Sequence, residues 1–292
     1  MSTISEFKLG QSIRGFFLCR KKSIRKTRAN KLYLEMYFSD STGSISAVMW
    51  DLVEEFNDKF EEGDPVALKG VITEYDKVLQ ISVTNINKAT SDQYGRYGFT
   101  YENLIKKIDE SIDALWKELF DNVSKMKSPL KQLVNKILKA YKIQIQSIPL
   151  SIENNNPIYG SYLKHLVDSV RIINNILPNY PNLDHNLVVA GTILYDIGRV
   201  KCFTGELIPQ YTNESKVIGS MILSRDIIIE ASKKFKSFPK EIISKLENII
   251  LLNKQNIDQN DLVDTHFLEG ILIYHITQLD KNYNLKMEIH TL

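Results

Sequence analysis

The sequence predicts a multi-domain α+β chain, a five-stranded β-barrel followed by an all-α region, and the change in apolar period along the chain carries that prediction. Within residues 7–88, short β-branched and aromatic runs alternate apolar with polar positions. From about Tyr101 the apolar residues recur at the three-to-four spacing of a helix face. Between them KATSDQYGRYGFT (88–100) loses both periods and mixes Gly with polar residues, which reads as a linker. The implied domains are 1–88, a linker at 89–100, and a helical region over 101–292. At 292 residues with 43% hydrophobic content, the chain can bury a core in each.

Five runs supply the strands: GQSIRGFFLCR, NKLYLEMYFSD, SISAVMWD, DPVALKGVITEYD and VLQISVTNI. In KLYLEMYF, Leu32, Leu34, Met36 and Phe38 are expected to fill the interior while Lys31, Tyr33, Glu35 and Tyr37 face out. Asp40-Ser41-Thr42-Gly43 supplies the next turn, because an Asp side chain bonds the backbone just ahead of it. Phe16, Phe17 and Trp50 read as core. Helical spacing then runs through Leu104, Ile108, Ile112, Leu115 and Leu119, and again through Leu130, Leu133, Ile137 and Tyr141. Pro149, Pro157, Pro178, Pro181 and Pro239 divide this half into several helices, with Gly160, Gly191, Gly198 and Gly219 near ends or close packing points.

Charge is informative by location. Lys and Arg total 37 against 35 for Asp and Glu, so the net charge alone selects no partner. Yet Arg14, Arg20, Lys21, Lys22, Arg25, Lys26, Arg28 and Lys31 fall in one stretch without an acidic residue. With Tyr33 and Tyr37 on the outer face, that stretch has the chemistry of a single-strand binder: phosphates are held by salt-sensitive attraction and bases stack on rings. Five short strands, a basic hairpin and outward aromatics are the layout of an OB-fold. Cys19 and Cys202 form no CxxC pattern or disulfide framework, which points to a reducing, cytoplasmic setting. MSTISEFKLG has no signal-peptide pattern, and no apolar run is long enough for a membrane span.

The run GFFLCRKKSIRKTRANKLYLEMYFSDSTGSISAVMWD resembles the OB domain at the front of YhaM-type 3'-5' exoribonucleases, with its strand, basic loop, "YL" strand, D-x-T-G turn and terminal Trp-Asp. The likeness extends over nearly the whole chain. It implies an OB module, a helical linker and an HD domain, with RNA or single-stranded DNA as ligand. HD chemistry needs imidazoles and carboxylates converging on divalent ions, Mn or Mg, that activate water against phosphorus.

The resemblance places His165, in GSYLKHLVDSV, and Asp196, in LYDIGR, at metal positions, and Tyr195 where the family has histidine. A neutral phenol is a poor substitute for imidazole. Ser220, Lys254 and Gln255 fall at further histidine positions, Asn155 and Asn156 at a paired-histidine position, and Thr277 at the last metal aspartate. A shifted alignment lets His275, Gln278 or Asp280 stand in. His185, His266 and His290 match no ligand position. Cys202 reads as a small core residue, and Arg199 with Lys201 brings positive charge to the mouth of the site.

These substitutions predict a degenerate HD domain, a pseudoenzyme without catalytic metal, in which His165 and Asp196 survive as a buried pair hydrogen-bonded to each other. The leading reading is a single-stranded RNA- or DNA-binding protein with no cofactor, free of membranes, its helical half available for self-association. Two alternatives stand beside it: an active metal-dependent 3'-5' exoribonuclease using His165 and Asp196, and an assembly factor whose helices bind another protein.

Overall fold

Period-two burial closes the first sheet on itself. The structure, a computed structural model of the chain, describes residues 3–152, 157–204, 209–251 and 267–290. Strands β1 (Ser12–Lys26), β2 (Leu32–Ser39), β3 (Ser44–Met49), β4 (Pro65–Tyr75) and β5 (Val78–Lys88) form a closed barrel in the order β1-β2-β3-β5-β4. Neighbours are antiparallel except β3 with β5, which run parallel. A short helix, α1 (Val53–Asn57), follows β3. The five-stranded OB barrel expected from the sequence is therefore present, and the alternation that predicted it holds.

Leu34, Met36 and Phe38 are buried with Phe17, Ile72, Ile81 and Ile86, while Glu35 is exposed and Tyr33 and Tyr37 are half-buried on the outer side. Leu32, expected inside, is only half-buried and packs on the rim of that cluster. Each fully buried Leu or Phe contributes roughly 1.5–3 kcal/mol, so a one-residue slip of β2 would forfeit several at once. The turn after β2 is fixed by Asp40, whose Oδ1 accepts from Thr42 N (2.7 Å), Thr42 Oγ1 (2.6 Å) and Gly43 N (3.0 Å). Between β4 and β5, Asp76 and Lys77 both take positive φ, the geometry of a two-residue hairpin turn.

Two expectations need correction. The basic segment KKSIRK is no loop: it continues β1 to Lys26 across a bulge between Cys19 and Lys21 and pairs with β2. Polar side chains at every position but Ile24 hide its alternation from a hydrophobicity reading. The second correction concerns residues 89–100, expected as a linker, which fold onto the barrel. Helix α2 (Ser91–Tyr94) and a 3-10 turn (Gly95–Tyr97) bring Ala89, Phe99 and Leu104 into a buried cluster with Leu18. Phe16 packs edge-on against Tyr94 (5.7 Å) and Phe99 (5.1 Å). Leu104, counted as the first helical position, belongs to this cluster, and the first long helix starts only at Ile112.

The chain divides into two compact units, one built on Met1–Lys107 and the other on most of Ile108–Leu292. The second is helical, as expected: α3 (Ile112–Ser124), α4 (Leu130–Ala140), α5 (Lys142–Ser147), α6 (Ser161–Ile176), α7 (His185–Leu194), α8 (Asn213–Ser232), α9 (Lys240–Leu251) and α10 (Leu268–His290). Ser111 caps α3 by accepting from Ala114 N, and Asp184 caps α7 by accepting from Asn186 N and Leu187 N. Tyr162, Leu163, Val170, Val188, Ile193, Ile249 and Ile273 lie in one core. No helix among the described residues is long and apolar enough to cross a membrane.

Gly198 is required by packing. A Cβ there would stand 2.0 Å from Ser220 O and 2.5 Å from Ser224 N, both backbone atoms of α8, and Gly198 N donates to Ser224 Oγ at 2.8 Å. Gly198→Ala is expected to destabilise the helical unit by about 3 kcal/mol, lowering the melting temperature followed by circular dichroism at 222 nm. An unchanged melt contradicts this packing.

Candidate functional site

Antiparallel register decides which side chains stand together on the outer barrel. Arg25 pairs with Tyr33, and Leu34 pairs with Met49, which brings Trp50 beside Tyr33. The Tyr33 and Trp50 rings stack at 4.9 Å with 30° between planes. Trp50 is 39% exposed, so its expected place in the core is corrected: β3 ends at Met49, the last inward residue, and Trp50 lies just outside. Four residues along, Lys21 pairs with Tyr37. The outer face of β1, β2 and β3 thus presents Arg25, Tyr33 and Trp50 in one row and Lys21 with Tyr37 in another. The missed signal was the Trp-Asp at the strand's end, where alternation turns outward.

The basic residues do not all share this face. Lys21, Arg25, Lys26, Arg28 and Lys31 are exposed on the β1–β2 hairpin. Arg25 Nε lies 3.1 Å from Glu35 Oε2 and Lys31 Nζ 3.7 Å from Asp51 Oδ1, surface pairs worth under ~1 kcal/mol that a phosphate can displace. Lys22 departs from expectation. Its side chain is 9% exposed, and its ammonium donates to the carbonyls of Asn57 and Phe60 and pairs with Glu61, so it ties β1 to the α1 region. Arg20 is half-buried and donates from Nε to Ser39 Oγ at 2.7 Å. Arg14 sits twelve residues before Lys26, about 40 Å of strand at the usual rise, and opposite Lys69 of β4.

In the helical unit, α6 carries His165 and the turn after α7 carries Tyr195 and Asp196. Gly160 caps helix α6; its φ of +82° lies in the left-handed region that favours glycine, and a Cβ there would stand 2.6 Å from Ile112 Cδ1. The expected bond between His165 and Asp196 is not formed; each has another partner. His165 Nδ1 lies 2.5 Å from Asp280 Oδ2 on α10, and Asn284 Nδ2 donates to the same oxygen at 2.9 Å. Asp196 Oδ2 accepts from Arg199 Nε at 2.5 Å, and Arg199 Nη1 donates to Leu150 O at 2.5 Å. Burial opposes the charge on Arg199, but the adjacent Asp196 carboxylate outweighs it and raises the guanidinium above its ordinary pKa. Tyr162 Oη donates to Asp196 O at 3.0 Å.

The substituted positions are likewise engaged. Tyr195 is 3% exposed; burial raises its phenol well above the ordinary value and keeps it neutral, and Gln278 Nε2 donates to its oxygen at 3.4 Å. Thr277 is buried and turns its hydroxyl back to the carbonyls of Ile273 and Tyr274. Ser220, half-buried, follows the kink at Gly219 and its carbonyl accepts from Ser224 Oγ. Of the three stand-ins, Asp280 reaches His165, Gln278 reaches Tyr195, and His275 is exposed against Tyr274. Cys202 is buried, as expected of a small core residue. His185 begins α7. Asn155, Asn156, Lys254, Gln255 and His266 lie outside the described residues.

Residues 20–89 match the tRNA_anti-codon family, an OB-fold nucleic acid binding domain. Over 281 residues the chain is 23% identical to 3'-5' exoribonuclease YhaM of Halalkalibacterium halodurans, covering 96% of this chain and 86% of the relative. The chain is similar to YhaM exoribonucleases along nearly its whole length. A second relative, 3'-5' exoribonuclease YhaM of Shouchella clausii, is 22% identical over 283 residues, covering 97% of this chain and 87% of its own. Among solved structures, the second OB-fold domain of replication protein A from Methanococcus maripaludis is 23% identical, with a TM-score of 0.25, covering 30% of this chain and 92% of that one.

A divalent ion of the kind that the resemblance implies would fall to His165 and Asp196, which are bonded here to Asp280 and Arg199. Among the described residues no three His, Cys, Asp or Glu side chains gather as a metal site. Asp196, one surviving donor, already faces a guanidinium. Asp196 and Arg199 are only 15% and 12% exposed, so removing one partner strands a charge. Arg199→Met is expected to cost about 3–5 kcal/mol in urea unfolding, with part recovered when Asp196→Asn is added. A single variant as stable as the parent contradicts this pairing.

Proposed function

We propose that this protein binds single-stranded nucleic acid, RNA or DNA, on the outer face of β1, β2 and β3, and that its helical unit keeps an HD-like frame without metal-dependent phosphodiester cleavage. The row Arg25, Tyr33 and Trp50 carries the reading. It sets an exposed cation beside two stacked rings on an OB barrel, so a phosphate and a base can be held one step apart. Lys21, Lys26, Arg28 and Lys31 extend the positive track along the hairpin, and Tyr37 offers a third ring. Phosphate contacts of this kind carry no sequence information, which suits a binder tolerant of sequence.

The helical unit supports the second half of the proposal through its own bonding. An HD site works by exposing carboxylates and imidazoles to metal; here Asp196 is neutralised by Arg199, and His165 is held by Asp280. Tyr195, Ser220 and Thr277 supply no imidazole or carboxylate. The near full-length similarity to proteins named 3'-5' exoribonuclease favours a second reading, an active nuclease. The two readings differ in what happens to the strand after it binds.

Fluorescence anisotropy with labelled oligo-U and oligo-dT is expected to show affinity falling steeply with salt, with the Arg25→Ala, Lys26→Ala, Arg28→Ala triple variant flattening log K against log salt by ~2. Trp50→Ala is expected to lose ~1–3 kcal/mol of binding. With Mn²⁺ added, the oligonucleotide stays full length on a denaturing gel. Salt-independent binding sinks the interface, and progressive shortening abolished by His165→Ala establishes the nuclease reading instead.

A further inference from the structure

The barrel has a second groove, on β1, β4 and β5. Register places Arg14 opposite Lys69 and Lys69 opposite Asn85 in one outward row, with Phe16, Ala67 and Asn87 in the next. The groove encloses about 540 Å³, within the ~300–1,000 Å³ of small-ligand sites. Ala67 gives it a shallow floor, and Tyr94 and Tyr97 of the segment folded onto the barrel form its wall.

Its chemistry is specific in three respects. Neither Arg14 nor Lys69 has an ion pair among the described residues, so two exposed cations flank the row without neutralisation. Tyr97 is 55% exposed, with Arg96 4.8 Å from its ring centre, and Tyr94 is fixed edge-on against Phe16. Asn87 Nδ2 donates to Asn85 Oδ1 at 3.1 Å, which turns the Asn85 amide nitrogen and the Asn87 amide oxygen toward other partners. A donor beside an acceptor matches a base edge, aromatic rings match a base face, and cations match a phosphate.

We infer that this groove binds one nucleotide unit, its phosphate at Arg14 and Lys69, its base against Tyr97 and read by Asn85 and Asn87. The site goes beyond the hairpin face: it lies on other strands and shares no residue with the Arg25, Tyr33 and Trp50 row. The unit can be a free 5'-mononucleotide or one nucleotide of a bound strand, since the chemistry is common to both.

The test uses full-length protein and two probes. AMP and UMP are titrated by calorimetry, and an oligonucleotide carrying 4-thiouridine is photo-crosslinked and mapped by mass spectrometry. Saturable mononucleotide binding, weakened at least tenfold by Arg14→Glu with Lys69→Glu and by Tyr97→Ala but kept in the hairpin triple variant, supports the site with a free nucleotide as ligand. Crosslinks in the Ser91–Tyr97 peptide that disappear in the Arg14→Glu, Lys69→Glu variant, without mononucleotide binding, support it with a strand as ligand. Neither signal, or inorganic phosphate competing as well as AMP, overturns it. Strand binding through the hairpin, followed by anisotropy in the same variants, reports separately whether the first interface stands.

Discussion

A carboxylate taken out of water must meet a cation or a set of donors, and in the helical unit Asp196 meets Arg199. Much of the local structure answers to that pair. The 3-10 turn Ile197–Lys201 places the guanidinium three residues after the carboxylate, and Gly198 lets α8 pass against the turn at a distance no side chain would allow. Arg199 then reaches the Leu150 carbonyl, and Tyr162 of α6 donates to the Asp196 carbonyl, tying three segments together. On the proposed reading, the chain supplies internally the positive charge that a metal-dependent relative would take from solution. His165 and Asp280 form a separate pair joining α6 to α10, so His165 and Asp196 are bonded in different places.

The barrel works under a different constraint, closure with period-two side chains. Every residue that points in commits its neighbours to point out, so the core formed by Leu34, Met36 and Phe38 is what presents Tyr33 and Tyr37 on the surface. Because the sheet closes on itself, β1 takes part in two outer faces, beside β2 at its Lys26 end and beside β4 at its Ser12 end. That geometry separates Arg14 from Lys21, Arg25 and Lys26, although all four lie on β1. Surface electrostatics follow from strand register more than from net charge.

The sequence made the architecture legible because both halves obey simple periods. Five strands, the Asp40 turn, the outward Tyr33 and Tyr37 and the helical second half all follow from spacing. What escaped had physical reasons. Lys22 looks like its neighbours in a list of cations, but only the fold shows carbonyls of Asn57 and Phe60 within its reach. Trp50 is large and apolar, and composition cannot tell that β3 ends one residue earlier. Residues 89–100 carry a helix of four residues, too short to show a period, and their Phe99 closes a cluster formed with Leu18 from far away in the chain. Asp280 of α10 meets His165 across the helical unit, a contact that no spacing rule could give.

On the proposed reading, the helical unit holds its surviving ligand-type residues with protein partners in place of metal. Elemental analysis of the purified full-length protein after equilibration with excess Mn²⁺ and desalting tests it most directly. Far less than one ion per chain is the predicted result. One or two ions per chain, lost on His165→Ala or Asp196→Ala, would contradict it.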